Sequence, residues 1–487
     1  MPPFGREYIL CEMAEEKVRK YKASGLPRIK VPEQDPRSRS SNFEEVPYGV
    51  SLDMAMDEAS RCLQCPKPRC SAACPVNIRI PEFITEISHG NPEEALKKLK
   101  TQTALPAVCG RVCPHEKQCE GHCVLGIRGD PVAIGTLERF SADYVRMNRL
   151  EKLPDVAAPT GKKVAIVGCG PAGITAAADL AIAGHEVHIF EKQDLPGGVL
   201  MCGIPEFRLP KEIVLYEVEQ IKKLGVKIHL NYKIGRDRTL EQLMKDEGFD
   251  AIFIGSGAGQ PIPLGIPGED SEGVMTSNEF LTRYNLMKAY DVLGKVTEPV
   301  NAKKIVTIGG GNVAMDASRT ALRIGAESTV VYRRAREQMP AREVEIRYAE
   351  QENVKFMLMT NPKRIIADEN GRVKAVECVK MEFGEVGADG RKSTHEVEGS
   401  EFQIPCDAVI IAIGNRPSPI IPNTSAKLRT TAKGTIEVDP ETLQTSIPGI
   451  FAGGDVVSGA ETVINAMGHA KIAARGINKY LSGEPLK

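Results

Sequence analysis

The chain carries no excess of either charge. Over 487 residues, 63 Lys and Arg face 64 Asp and Glu, a formal net of −1. No overall field therefore draws it to nucleic acid or to an anionic membrane. It also lacks any apolar run approaching the ~20 residues that a spanning helix needs. Its first ten residues lead into the charged stretch 12–22 without the apolar centre of a signal peptide. A cytoplasmic protein with no membrane partner is expected. Catalytic sets are missing too: the eight histidines are scattered, and neither a Ser-His-Asp combination nor a His-Glu-x-x-His helix is apparent. Hydride chemistry needs no such set, because a cofactor carries the reaction and the protein aligns the reacting rings. No catalytic side chain is expected.

What is present is more telling. Two glycine loops, Gly168-Cys169-Gly170-Pro171-Ala172-Gly173 and Gly309-Gly310-Gly311-Asn312-Val313-Ala314, each follow an apolar strand pattern and open a helix pattern. A lone loop of this kind is weak evidence, but strand, loop, helix and second strand together make a dinucleotide-binding unit. The first unit runs from strand 163–167 through helix 172–183, with Gly184 as its stop, to strand 186–190. The second runs from strand 304–308 through helix 313–324, with Gly325 as its stop, to strand 329–332. Their second strands end in opposite charges, Glu191 and Arg333-Arg334. A carboxylate there accepts from a ribose with free hydroxyls, whereas guanidinium groups suit a 2′-phosphate. The first loop therefore asks for FAD and the second, through Gly309, Gly311, Asn312 and Val313, for NADP(H). A solvated charge run with Arg336 is the plainer alternative for the arginines. Gly197-Gly198 and the Gly454-Asp455 turn permit close backbone approach, with Asp455 a candidate partner for a flavin side-chain hydroxyl and otherwise an ordinary turn residue.

Eight of the thirteen cysteines fall between Cys62 and Cys123. One run is Cys62, Cys65, Cys70 and Cys74, closed by Pro75; the other is Cys109, Cys113 before Pro114, Cys119 and Cys123. Eight thiolates suffice for two [4Fe-4S] clusters, and a cysteine before proline can ligate the other cluster, so crossed wiring is the simplest arrangement. A pair of zinc sites is the alternative. The five remaining cysteines, Cys11, Cys169, Cys202, Cys378 and Cys406, read mainly as core or loop residues. His115 and His122, among the cluster cysteines, read as exposed loop residues.

The length allows two to four domains. The order implied is an arm over 1–50, with a charged helix near 12–23, then a helical iron-sulfur domain over 51–155. An FAD-binding domain over 156–295 and 415–487 follows, interrupted by an NADP(H)-binding domain over 296–414 whose edge, 373–403, reads as an antiparallel meander. The fold class is α/β, with two Rossmann-like domains, one inserted in the other, behind an α-helical cluster domain.

The cysteine block, the Gly168–Gly173 loop, the stretch 309–316 and the turn 449–455 resemble the small subunit of NADPH-dependent glutamate synthase and its relatives. These include the N-terminal half of dihydropyrimidine dehydrogenase and the large subunit of NADH-dependent ferredoxin:NADP oxidoreductase, an electron-bifurcating transhydrogenase. The stretches 32–36 and 105–114 look most like the last. The resemblance implies that Cys62, Cys65, Cys70 and Cys123 hold one cluster. It gives Cys74, Cys113 and Cys119 to the other, with Glu138 as a fourth, non-thiolate ligand. Spacing alone selects Cys109 instead.

The function so implied is hydride exchange with NADP(H) at FAD and one-electron transfer through two clusters to ferredoxin. A small flavin and [2Fe-2S] subunit that handles NAD(H) is the expected partner in a hetero-oligomer. Glutamate synthase is the rival enzyme: the chain has no N-terminal cysteine nucleophile to hydrolyse glutamine, so a large partner would be obligatory. A non-catalytic electron-transfer subunit is the third reading; it predicts degraded nucleotide loops, and both are intact.

Overall fold

Apolar repeats of helical period become the helices Leu52–Ala59, Ile80–Ser88, Pro92–Lys100, Pro106–Val112 and Ile134–Met147. Their starts are marked locally. The Ser51 hydroxyl accepts from the Met54 amide at 3.3 Å, and Pro92 and Pro106 occupy first-turn positions where a missing N–H costs nothing. The computed structural model describes residues 25–289, 299–386 and 392–486; the expected helix at 12–23 and Cys11 lie outside them. No helix among the described residues is long and apolar enough to cross a membrane.

Two parallel sheets follow. The first orders its strands as Ile450–Ala452, Ala251–Ile254, Lys163–Val167, Glu186–Phe190 and Lys227–His229. The second runs Val274–Thr276, Ala408–Ile411, Lys304–Ile308, Glu327–Tyr332 and Lys355–Leu358. Strands such as Ala251–Ile254 and Ala408–Ile411 are buried throughout, as parallel strands covered on both faces must be. Beside the second sheet, Val373–Val386 pairs antiparallel with Thr360–Ala367, Lys392–Glu396 and Phe402–Pro405. Where the chain passes between the sheets, Gln260–Pro261 and Asn415–Arg416 pair antiparallel. Val274–Thr276 precedes residue 296, where the NADP(H) domain was expected to begin, yet joins its sheet: a short three-residue strand carries too little pattern to be read alone.

One apolar core runs from the cysteine helices into the first sheet and helix Val463–Ser482. Cys109 Sγ lies 3.5 Å from Met467 Sδ, and a Cβ on Gly468 would stand 3.0 Å from the Pro75 carbonyl oxygen. The cysteine helices are thus one packed unit with the helix that ends the described chain.

Charge joins the remaining pieces. Glu352, buried on helix Glu343–Gln351's trailing turn, receives Arg39 from the arm at 2.9 Å, Arg319 at 2.8 Å and Arg323 at 2.7 Å. Arg319 also meets Glu345 at 2.6 Å, and Arg208, from beside the first sheet, meets Glu345 at 2.9 Å and Asp316 at 2.6 Å. Phe207 lies under Arg323 at 3.8 Å and under Arg319 at 4.6 Å. Burial alone would raise the Glu352 carboxyl, but the Arg319 and Arg323 guanidinium groups outweigh it and hold it down to about 2. A carboxyl so depressed adds stability that is complete above its ordinary pKa of 4.5 and is lost as pH falls toward 2. Glu352→Ala would leave the buried Arg323 guanidinium with no carboxylate and take one from Arg39 and Arg319, and is expected to cost ~3–5 kcal/mol, read as a lowered melting temperature. Glu350→Ala, which removes an exposed partner of Arg336, should stay within about 1 kcal/mol.

Candidate functional site

At the first loop, Gly168 adopts φ +100° and a Cβ there would meet the Gly255 carbonyl oxygen at 2.6 Å. On Gly173 a Cβ would stand 1.9 Å from the Gly168 oxygen, so helix Pro171–Ile182 seats on its strand only with glycine at that point. A Cβ on Gly170, by contrast, meets nothing within 4 Å: the space outside the loop is open. The helix starts at Gly170 with no side-chain cap, leaving its first amides for an anion. Glu191 is buried beneath, its oxygens accepting from the Cys169 amide at 2.7 Å and the Gln193 amide at 2.9 Å. Each oxygen keeps a second lone pair, enough for ribose hydroxyls.

Two further turns close on this loop. The Gly197 amide donates to the Cys169 carbonyl at 2.9 Å, and Gly198, at φ +54°, passes so near Gly170 that a Cβ would stand 2.9 Å from its Cα. Gly454, at φ +75°, abuts Ala172 in the helix's first turn, and Asp455 follows it. Burial, and Glu461 after it, push the Asp455 carboxyl up to about 6. Every residue assigned to the flavin thus lies around one helix N-terminus.

The second loop repeats the design with differences. Gly309, at φ +141°, runs against the Ala412 carbonyl; Ala314, in the third glycine's place, is fully buried; helix Asn312–Arg323 again starts without a side-chain cap. The Asn312 carboxamide oxygen accepts from the Arg342 amide at 2.9 Å. Past strand Glu327–Tyr332 the three arginines part company. Arg336 is held by Glu343 and Glu350, each at 2.7 Å, whereas Arg333 and Arg334 have no carboxylate partner among the described residues. The Arg334 Nε is buried and makes no hydrogen bond. A charge run solvated as a unit would treat all three alike; this one leaves two guanidinium groups open to an anion.

The cysteines sort into two recesses. Cys62, Cys65, Cys70 and Cys123 line the first; Cys74, Cys113, Cys119 and Glu138 line the second; Ile80 and Ile134 line both. Cys113 turns into the second because Pro114 bars helical backbone on its predecessor, ending helix Pro106–Val112. Burial first, and then neighbouring thiols, push Cys62 up to about 11, so its sulfur stays protonated until a metal compensates it. No three His, Cys, Asp or Glu among the described residues converge closely enough to grip a single ion. The four sulfurs lining the first recess suit ligands arrayed around a cube of iron.

Glu138 fits the fourth place. It is buried, its Oε1 makes no hydrogen bond, and burial, with Glu217 adding to it, pushes its carboxyl up to about 8. Cys109 is not among the residues lining either recess; inside helix Pro106–Val112 its sulfur lies by Met467 and the Thr103 hydroxyl, and beside the Cys113 thiol. One expectation is corrected. His115 is buried rather than exposed, lining the second recess with Nε2 unpartnered and its ring against Gly135. Loop sequence gave no hint, since the glycine that admits the ring lies twenty residues on. His122 is exposed, as expected.

The recesses share a wall, Ile80 and Ile134, and differ in depth. Ile464, of the helix following the Gly454 turn, lines the second, whose cysteines are buried; those of the first are half-buried and nearer solvent.

Comparison with known proteins follows the same division. A family model described as dihydropyrimidine dehydrogenase domain II, 4Fe-4S cluster, matches residues 39–150, and one for pyridine nucleotide-disulphide oxidoreductase matches residues 162–470. The chain is 36% identical over 469 residues to the NADPH glutamate synthase small chain of Escherichia coli (strain K12), covering 95% of this chain and 98% of that one. It is 41% identical over 436 residues to the beta subunit of the NADP(+)-dependent formate dehydrogenase of Moorella thermoacetica, covering 85% of this chain but only 60% of that subunit. Among solved structures, Mycobacterium tuberculosis FprA in complex with NADPH superposes with a TM-score of 0.55 over 66% of this chain and 85% of FprA, at 20% identity, a likeness of fold alone.

Proposed function

The chain belongs to the pyridine nucleotide-disulphide oxidoreductase family, among the relatives of the glutamate synthase small chain, and from that premise we propose how this NADP(H)-dependent flavin and iron-sulfur oxidoreductase is wired. The Gly168–Gly173 loop, Glu191, Gly197, Gly198, Gly454 and Asp455 bind and orient FAD. The Gly309–Val313 loop binds the pyrophosphate of NADP(H), and Arg333 and Arg334 take its 2′-phosphate. When bound, the flavin supplies the exchange between a hydride and single electrons. Cys62, Cys65, Cys70 and Cys123 hold one [4Fe-4S] cluster; Cys74, Cys113, Cys119 and Glu138 hold the other. The limits that go with this division are an FAD domain ending near 260 and resuming at 415, around an NADP(H) domain.

In the full reading the chain is the large subunit of an NADH-dependent ferredoxin:NADP oxidoreductase that bifurcates electrons. One electron leaves through the clusters to ferredoxin, the other to a small flavin and [2Fe-2S] subunit that binds NAD(H). What supports it is that Ile464, of the helix after the Gly454 turn, lines the buried second recess, while the cysteines of the first are half-buried. A second reading, delivery of electrons to a large glutamate-forming partner, is favoured by the match over 98% of the Escherichia coli small chain.

Co-purification separates them: a small NAD-linked flavoprotein is expected, and a large amidotransferase in its place would reject bifurcation. Iron should be near eight atoms per chain, from two four-iron clusters, about half of it lost in Glu138→Ala if that carboxylate holds its cluster.

A further inference from the structure

The second recess holds one more donor than the wiring above uses. Beside Cys74, Cys113, Cys119 and Glu138 it is lined by His115, a buried imidazole whose Nε2 has no hydrogen-bond partner. Buried polar atoms are normally paired, so an orphan in the wall of a metal site needs a physical reason. The far side of the ring supplies one. The Cys109 carbonyl accepts from the ring, and with Nε2 unpartnered the donor is Nδ1. Nδ1 then carries the proton of the neutral ring, and Nε2 presents a lone pair. Metal-ligating histidines are oriented in this way, with a backbone carbonyl on the nitrogen that does not bind the metal.

The backbone opposite is shaped to admit the ring. A Cβ on Gly135 would fall inside the imidazole, nearest Cε1 and Nε2, so glycine alone lets the ring lie on the first turn of helix Ile134–Met147. Glu138 follows three positions later on the same helix face, where β-carbons stand about 5–6 Å apart. Its Oε1 is unpartnered as well. One orphaned nitrogen and one orphaned oxygen thus share a wall of a recess whose cysteines number one fewer than the irons of a four-iron cluster. Resting on the second cluster as assigned above, we propose that His115 is a protein ligand of that cluster, its Nε2 joining a Glu138 oxygen on the iron that has no cysteine. A carboxylate gives its iron less electron density than a thiolate does, and imidazole nitrogen is a common donor to iron. One Fe–N bond forms from the Nε2 lone pair; no bond breaks, and no proton or electron moves. Cys109 then acts on the cluster through its carbonyl.

The test is pulsed EPR on the full chain with its clusters in place, reduced with dithionite and carrying isotopically labelled nitrogen in histidine alone. A nitrogen bound to iron couples to the cluster's unpaired spin far more strongly than one that only lies nearby, and such a coupling is expected in the wild type. It should vanish in H115Q and in G135A, whose methyl displaces the ring, and persist in H122Q, which changes the histidine that lines the first recess. Iron in H115Q should stay near about eight atoms per chain, since Glu138 and three cysteines remain. A wild-type chain with full iron and no strongly coupled histidine would overturn the ligand and leave the cluster assignment standing, as would a coupling that survives H115Q. Iron near about four atoms in the wild type, with only one cluster in its spectrum, would overturn both.

Discussion

Gly170→Ala and Gly173→Ala are both expected to strip the flavin, for different reasons that one pair of measurements separates. At Gly173 the new methyl would sit 1.9 Å from the Gly168 carbonyl oxygen and 3.2 Å from the Ile166 side chain, so helix Pro171–Ile182 must lift off its strand. Overpacking of this kind costs ~1–3 kcal/mol, and flavin affinity falls with it by roughly 10–100-fold, because 1.4 kcal/mol is a factor of ten. At Gly170 the methyl meets no protein atom and fills only the space the pyrophosphate needs. Gly170→Ala should therefore lose flavin while the flavin-free chain melts at the wild-type temperature, and Gly173→Ala should lose both. A yellow, fully active Gly170→Ala would mean that the dinucleotide lies elsewhere.

Replacing Arg333 and Arg334 together by alanine should abolish the preference for NADPH over NADH. Each charge-assisted bond to a phosphate contributes ~1.5–3 kcal/mol, and the exposure of Arg333 argues for the low end. The two together predict a rise of about 10²-fold or more in KM for NADPH. NADH, which has no 2′-phosphate, should react as before, and kcat with saturating NADPH should hold, because the phosphate lies far from the hydride. Equal losses with both nucleotides would point to a structural role for the pair. Arg336→Ala, which removes the residue already committed to Glu343 and Glu350, is the control that should leave the preference intact.

Legibility in the sequence followed the range of the forces involved. Strands Lys163–Val167, Glu186–Phe190 and Lys304–Ile308 could be read to the residue, because glycines punctuate them and each is mainly apolar. The two arginines could be placed, but the reason they stay open could not: Arg336 is drawn off by carboxylates on a later helix. Cysteine spacing favours Cys109 as the second cluster's fourth ligand where the resemblance favours Glu138, since four thiols per run is the simpler count. Spacing does not tell that Cys109 lies inside a helix facing Met467, more than 350 residues away. The buried cluster around Glu352 had no signature at all. Arg39 and Glu352 are 313 positions apart, and each alone looks like surface charge.

The core shared by the cysteine helices and Val463–Ser482 has a consequence for how the protein is made. The ribosome releases the cysteine helices early, but Ile464, which lines the second recess, Met467, which meets Cys109, and Gly468, which presses on Pro75, follow only after both sheets. The early helices must wait, their sulfurs unshielded, for a helix made far later in the same polypeptide. Assembly machinery that delivers iron thus meets a finished receptacle only once residues 463–482 have emerged, and a nascent chain stalled short of residue 463 would hold a receptacle with one side missing.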